Sequence, residues 1–171
     1  AHCLMGCALL MQAKVEAAGE HLDEALNDTA YGYDPQHDPL VGIDVRIMAL
    51  TWKSLVLWQR GYPDQARHCL QEALTAAEKS VYSITLVHIQ SMAGMLHFLY
   101  ERNAAAAWQQ IQVLRASAQS VPPFGAFADG LAGPDVSPDL QGEQLLQQMR
   151  NGLAQFQTTG SGLGRAGLLL L

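Results

Sequence analysis

The sequence is short of charge. Asp, Glu, Lys and Arg make up 15% of its 171 residues, against roughly a quarter in an average globular domain. Lys and Arg number 10 against 16 acidic residues, a net charge of −6. A nucleic-acid surface needs clustered cations, so direct contact with nucleic acid is not expected. Cysteine is scarce and odd in number (Cys3, Cys7 and Cys69), which argues against a disulfide framework. No apolar run approaches the roughly 20 residues of a membrane helix. The closing Leu168–Leu171 run is far too short, and no basic-then-apolar leader opens the chain. No stretch alternates apolar and polar residues as a half-buried strand does. The expectation is a cytoplasmic, all-α chain with no membrane contact.

What is present is apolar and small. Residues of the apolar class make up 49%, enough for a packed interior. Ala18, Leu22, Ala25 and Leu26 stand at relative positions 0, 4, 7 and 8, and so do Ala66, Leu70, Ala73 and Leu74. Ala106, Gln110, Val113 and Leu114 repeat the spacing, and Leu145, Met149, Gly152 and Leu153 follow it more loosely. These offsets lie along one stripe of an α-helix. Twelve residues before the first three anchors stand Gly6, Ser54 and Gly94, each inside a second apolar helix, at about 1–13, 45–60 and 82–100. A small residue in mid-helix is locally unfavourable where it is Gly, and it marks close approach by a neighbour.

The unit is therefore a helix, a turn and a second helix. Anchors fall at 18, 66, 106 and 145. They divide the chain into units of about 1–30, 44–80 and 82–119, a degenerate unit at 128–158 and a further helix at 163–171. Gly61-Tyr62-Pro63 closes one helix and opens the next. Asp44 and Asn103 are candidate N-caps. Pro122, Pro123, Pro134 and Pro138 interrupt the region where a fourth first helix belongs. A start at Ala1 and an end in four leucines read as cuts through a longer polypeptide, with self-association a possible consequence.

Small residues at these offsets resemble the tetratricopeptide repeat, lengthened beyond its nominal 34 residues. Longer strings point to a narrower resemblance. Glu20-His21-Leu22 with Ala25-Leu26, Gly42-Ile43-Asp44-Val45-Arg46 with Ala49-Leu50, and Leu57-Trp58-Gln59-Arg60-Gly61-Tyr62-Pro63-Asp64-Gln65-Ala66 are similar to one bacterial family. Gly142-Glu143-Gln144 with Gly152-Leu153-Ala154 and Thr159-Gly160 belong to the same likeness. That family is the helical-repeat tail of large signal-transduction ATPases, including some class III adenylate cyclases and winged-helix transcriptional regulators. The resemblance implies an α-α superhelix that binds a protein or a neighbouring domain of its own polypeptide. The nucleotide-binding and output domains would lie elsewhere, since no G-x-x-x-x-G-K-[ST] loop occurs here.

No catalytic group is expected, and no cofactor. Cys3 and Cys7 lie one helical turn apart beside His2, but no second pair at zinc-like spacing follows, so they read as small hydrophobes. Asp34, His37, Asp38 and Asp44 lack the spacing of a calcium loop. Gly160–Gly164 follows a helix rather than a strand and reads as a link. His21, His68, His88 and His97 are scattered on helices, and Trp52 and Trp108 read as core. The remaining functional surface is the concave side of a repeat array, which falls to the first helices of the pairs. In that register Thr51, Leu55, Trp58, Ser91, Met95 and Phe98 face or border the groove, or else fill the seam between repeats. Three functions follow as expectations: a non-enzymatic interaction scaffold, a small-effector sensor, and a metal-dependent enzyme built on His2, Cys3, Cys7 or the 34–44 loop.

Overall fold

The computed structural model describes residues 1–27, 44–80, 83–95, 100–117 and 142–158. Seven helices lie among them: α1 (His2–Met11), α2 (Val15–Asn27), α3 (Val45–Gln59), α4 (Pro63–Ala77), α5 (Ser83–Met95), α6 (Ala104–Ser117) and α7 (Glu143–Thr158). No strand occurs among the described residues, so the chain is all-α there. It forms two compact units, Ala1–Ile89 and Gln90–Leu171, with the boundary inside α5. The expected helix at 163–171 and the first part of the expected 128–158 unit lie outside the described residues.

Local chemistry sets the helix ends. The Asp44 carboxylate accepts from the Arg46 and Ile47 amides at 3.0 and 3.1 Å and starts α3. The Asp44 amide in turn donates to the Thr85 hydroxyl of α5 at 3.0 Å. Asn103 accepts from the Ala106 amide at 3.1 Å and starts α6. Pro63 opens α4, where its missing N–H costs nothing.

The backbone itself carries the repeat. Ala13, Gly61 and Arg102 have left-handed φ angles of 60°, 83° and 53°. The Ala13 amide donates to the Leu10 carbonyl at 2.9 Å and the Lys14 amide to Leu9 at 3.0 Å. Forty-eight residues on, the Gly61 amide donates to Trp58 and the Tyr62 amide to Leu57, both at 2.9 Å. This is the left-handed closure of a helix, written twice in the same register. The next helix then opens alike three times: Ala18 to Lys14, Ala66 to Tyr62 and Ala107 to Asn103, each at 2.9 Å.

That last pair corrects the sequence register of the third unit. Its anchor is Ala107, not Ala106. Ala107, Ile111 and Leu114 are 0%, 1% and 1% exposed, whereas Val113 is 41% exposed and Ala106 and Gln110 are half-buried. Four consecutive alanines, Ala104–Ala107, fit the small position in more than one frame, and a one-residue slip turns the stripe by about 100°. The position twelve residues ahead of the anchor is then Met95 rather than Gly94. The first two units stand as expected: Ala18, Leu22, Ala66, Leu70 and Ala73 are buried, and Ala25 is half-buried. In α7, Gly152 is buried.

In the first unit α1 packs on α2, α3 on α4, and α2 on α3, with α1 also touching α3. The connections 12–14 and 60–62 are three residues each, so each pair is an antiparallel hairpin. A Cβ on Gly6 would sit 2.6 Å from Leu22 Cγ and 3.1 Å from the Ala18 carbonyl oxygen. Gly19, the next residue after Ala18, lies against Val56 of α3, where a Cβ would meet Cγ1 at 3.3 Å. In the second unit Trp108 is half-buried rather than core, with the Arg115 guanidinium 5.6 Å from its ring centroid.

Three substitutions test this packing, each read by urea denaturation. Gly6→Ala overpacks the α1–α2 contact and lowers stability by about 1–3 kcal/mol, although alanine is the better helix former. Gly61→Ala meets no atom within 4 Å, so its loss of about 1 kcal/mol is purely backbone strain. Ala13→Gly at the equivalent turn should then shift stability the other way.

Candidate functional site

Helices α2, α3 and α4 enclose an open groove of about 880 Å³. Lys53, Leu57 and Arg60 stand at i, i+4 and i+7 on α3 and form its floor, because those offsets share one helix face. Leu26 of α2 makes one wall. The other comes from Tyr62 in the turn and from Asp64, Gln65, His68, Cys69 and Glu72 of α4.

Most of the charge in this groove is internally matched. Lys53 binds both oxygens of Asp23 at 2.5 Å, with its side chain only 12% exposed. Asp64 pairs with Arg67, whose guanidinium lies 5.9 Å from the Trp58 ring centroid. Glu72 pairs with Arg46 at 3.9 Å. Arg46 therefore reaches across to α4 rather than to Asp44, whose carboxylate is used as a cap. Arg60 is different. Among the described residues no carboxylate pairs with it, and its guanidinium lies 6.0 Å from the centroid of exposed Tyr62. The groove thus has an apolar strip (Leu26, Leu57), a planar ring and the Arg60 cation, which no carboxylate among the described residues pairs.

Of the residues expected to face the groove or fill the seam between repeats, three are buried in the interior. Thr51, Leu55 and Ser91 are 0%, 3% and 1% exposed, so they are interior and cannot meet a partner. Ser54 is equally buried. Thr51 and Ser54 satisfy their hydroxyls within α3, on the Ile47 carbonyl at 2.9 Å and the Thr51 carbonyl at 2.6 Å. The reason is that α3 is covered on two sides, which leaves its middle no free face. Trp58 is half-buried near the groove's end. Met95 closes α5, with its side chain outside the description, as is the environment of Gly94; Phe98 lies outside the described residues. Arg60 lines the groove without any spacing signal of its own: it lies inside the Leu57–Ala66 string, which marks the turn and the family resemblance.

Little reactive chemistry is assembled. All three cysteines are free and buried. Burial pushes the Cys69 thiol up to about 11, and that thiol donates to the Leu50 carbonyl at 3.2 Å. It is a protonated donor at neutral pH, not a nucleophile. Cys7 hydrogen-bonds Cys3, which holds the Cys3 thiol below its ordinary range and drives that of Cys7 well above it. His2 meets His21 of α2, with Nδ1 atoms 3.0 Å apart and rings tilted by 43°. Among the described residues no three His, Cys, Asp or Glu side chains cluster to hold a metal ion. Asp34, His37, Asp38, His97 and Gly160–Gly164 lie outside them. No helix among the described residues is long and apolar enough to cross a membrane.

Compared with protein families, with curated proteins and with solved structures, the chain matches none.

One buried group couples the fold to pH. His88 of α5 is 7% exposed, and burial lowers its pKa to about 4 from 6.5. Above pH 6.5 the ring is neutral in both folded and unfolded chains. As pH falls from 6.5 to about 4, the unfolded chain takes up a proton that the folded one refuses, so stability declines by as much as about 3 kcal/mol. Urea denaturation across that range should show the fall, and His88→Leu should flatten it. An unchanged slope in the variant would place the loss elsewhere.

Proposed function

We propose that this chain is a non-enzymatic interaction scaffold. Its antiparallel helix pairs stack as a tetratricopeptide-like α-α superhelix, and the α2–α3–α4 groove holds a segment of a protein partner. The observation that carries the reading is Arg60: a cation without a carboxylate among the described residues, beside the exposed Tyr62 ring and the Leu57 strip. An exposed Arg beside an aromatic ring, once a partner covers it, is a common anchor of protein interfaces. Its chemistry selects a carboxylate flanked by apolar residues.

The groove is open along its length, which suits an extended peptide or the edge of a domain better than an enclosed metabolite. Its volume still lies in the range of small-molecule sites, and this supports a second reading, a module that senses a small anionic effector. By the resemblance of the Leu57–Ala66 string, the bound segment belongs to a signalling ATPase or its output domain, and occupancy of the groove regulates that parent. Neither reading places nucleic acid, membrane or a cofactor against this surface.

A peptide array carrying Asp or Glu within apolar sequences, probed with the chain and with Arg60→Ala, tests the scaffold reading. Peptides that bind should lose at least tenfold in affinity on the variant, a loss of about 1.4 kcal/mol. Equal binding to both proteins would remove the groove from the interaction. Stabilisation by a small carboxylate in a thermal-shift panel, with no peptide bound, would favour the sensor instead.

A further inference from the structure

The turns at Ala13 and Gly61 fix a register of 48 residues between α1 and α3. In that register Cys3, Gly6, Cys7 and Leu10 stand where Thr51, Ser54, Leu55 and Trp58 stand. The two sets behave alike: all are buried except half-buried Trp58. They form the face that each first helix turns to the second helix of its own pair, as Gly6 meets Ala18 and Leu22.

α3 has a second covered face, and among the described residues no element covers the matching face of α1. Trp52 and Val56 are 7% and 0% exposed, and the Lys53 side chain is 12% exposed. Their counterparts on α1 are Leu4, Ala8 and Met5. Leu4 and Met5 are 59% and 50% exposed, Ala8 is exposed, and Met11 extends the strip at 59%. On α3 the covering element is α2: Gly19 lies against Val56, and Asp23 binds Lys53. The open strip of α1 therefore continues an interface whose other half is visible one repeat later.

We propose that the Leu4–Met5–Ala8 face of α1 is a docking surface for a helix of the α2 type. The occupant is an amphipathic helix with glycine or alanine set against Ala8. It carries an apolar residue at the place of Asp23, because Met5 stands where Lys53 does. A second copy of the chain fits poorly. Its own α2 is already packed between α1 and α3.

The test extends the full chain. A copy of residues 1–48 is fused ahead of Ala1, which places a second α2 before α1 at the spacing that α2 keeps before α3. In the added copy Asp23→Leu matches Met5, and Leu4→Gln with Met5→Gln keep its own α1 polar and give its peptides a distinct mass. Hydrogen exchange read by mass spectrometry should show the original α1 slowed at least tenfold relative to the unextended chain. Ala8→Glu in the original α1 should abolish the slowing. Met5→Gln, at a site half-exposed in the unextended chain, is the milder variant and should weaken it if Ala8→Glu does not fold. Unchanged exchange in the original α1 overturns the proposal. So does an unextended chain that light scattering shows to be a dimer and that Leu4→Gln makes monomeric, since a second copy then covers the strip.

Discussion

The first unit depends on two adjacent small residues in α2. Ala18 faces α1, where Gly6 lets the Leu22 side chain and the Ala18 carbonyl come within contact distance. Gly19 faces α3, against Val56. Adjacent helix positions differ in direction by about 100°, so two small neighbours serve two different partners. This makes α2 the shared wall of both hairpins. Backbones that approach so closely leave no room for compensation, because packed interiors transmit a misfit rather than absorb it.

That constraint bears on the shortage of charge. α3 buries nine of its 15 residues, Ile47 to Leu55 and Val56 with the single exception of Lys53 in the run. A helix covered on two sides has few positions where a charge meets water, and burying one without a partner is costly. Lys53 shows the exception. Nearly enclosed at the α2–α3 seam, it is held by both oxygens of Asp23. The charges that remain are spread over the groove and the outer faces of α2 and α4. Among the described residues Asp23, Asp64 and Glu72 are paired there, with Lys53, Arg67 and Arg46, and no carboxylate pairs with Arg60.

Much of the fold is legible in the sequence because it is local. Asp44, Asn103 and Pro63 announce helix starts by side-chain chemistry that acts within three residues. The 0, 4, 7 stripe announces the buried face of α2 and of α4. What is illegible is rotational or distant. The third unit slips by one residue because Ala104–Ala107 offers no unique small position. The left-handed turns at Ala13 and Arg102 give no signal, because only Gly61 of the three carries the residue that favours that conformation. The candidate site is harder still. Its walls come from Leu26 and Glu72, 46 residues apart, and no spacing rule links them. Repeat position alone leaves Thr51, Leu55 and Ser91 either on the groove or in the seam between repeats, and only the burial of the folded chain separates the two.

The same two-faced packing explains where surfaces capable of binding survive. In the middle of the first unit each helix spends its apolar stripe on a neighbour, so recognition is left to places where the pattern is incomplete. One is the groove, lined by Leu26 of α2, by Leu57 and Arg60 in the last turns of α3, and by α4. The other is α1, whose Leu4, Met5 and Ala8 are apolar and exposed on a side that no element covers among the described residues. An apolar strip that stays in water costs roughly 25 cal/mol per Å² relative to a covered one. A residue such as Met5 at a site where the next repeat carries a paired lysine gains nothing from solvent. Its chemistry is explained by contact, and the register of the repeat states which kind.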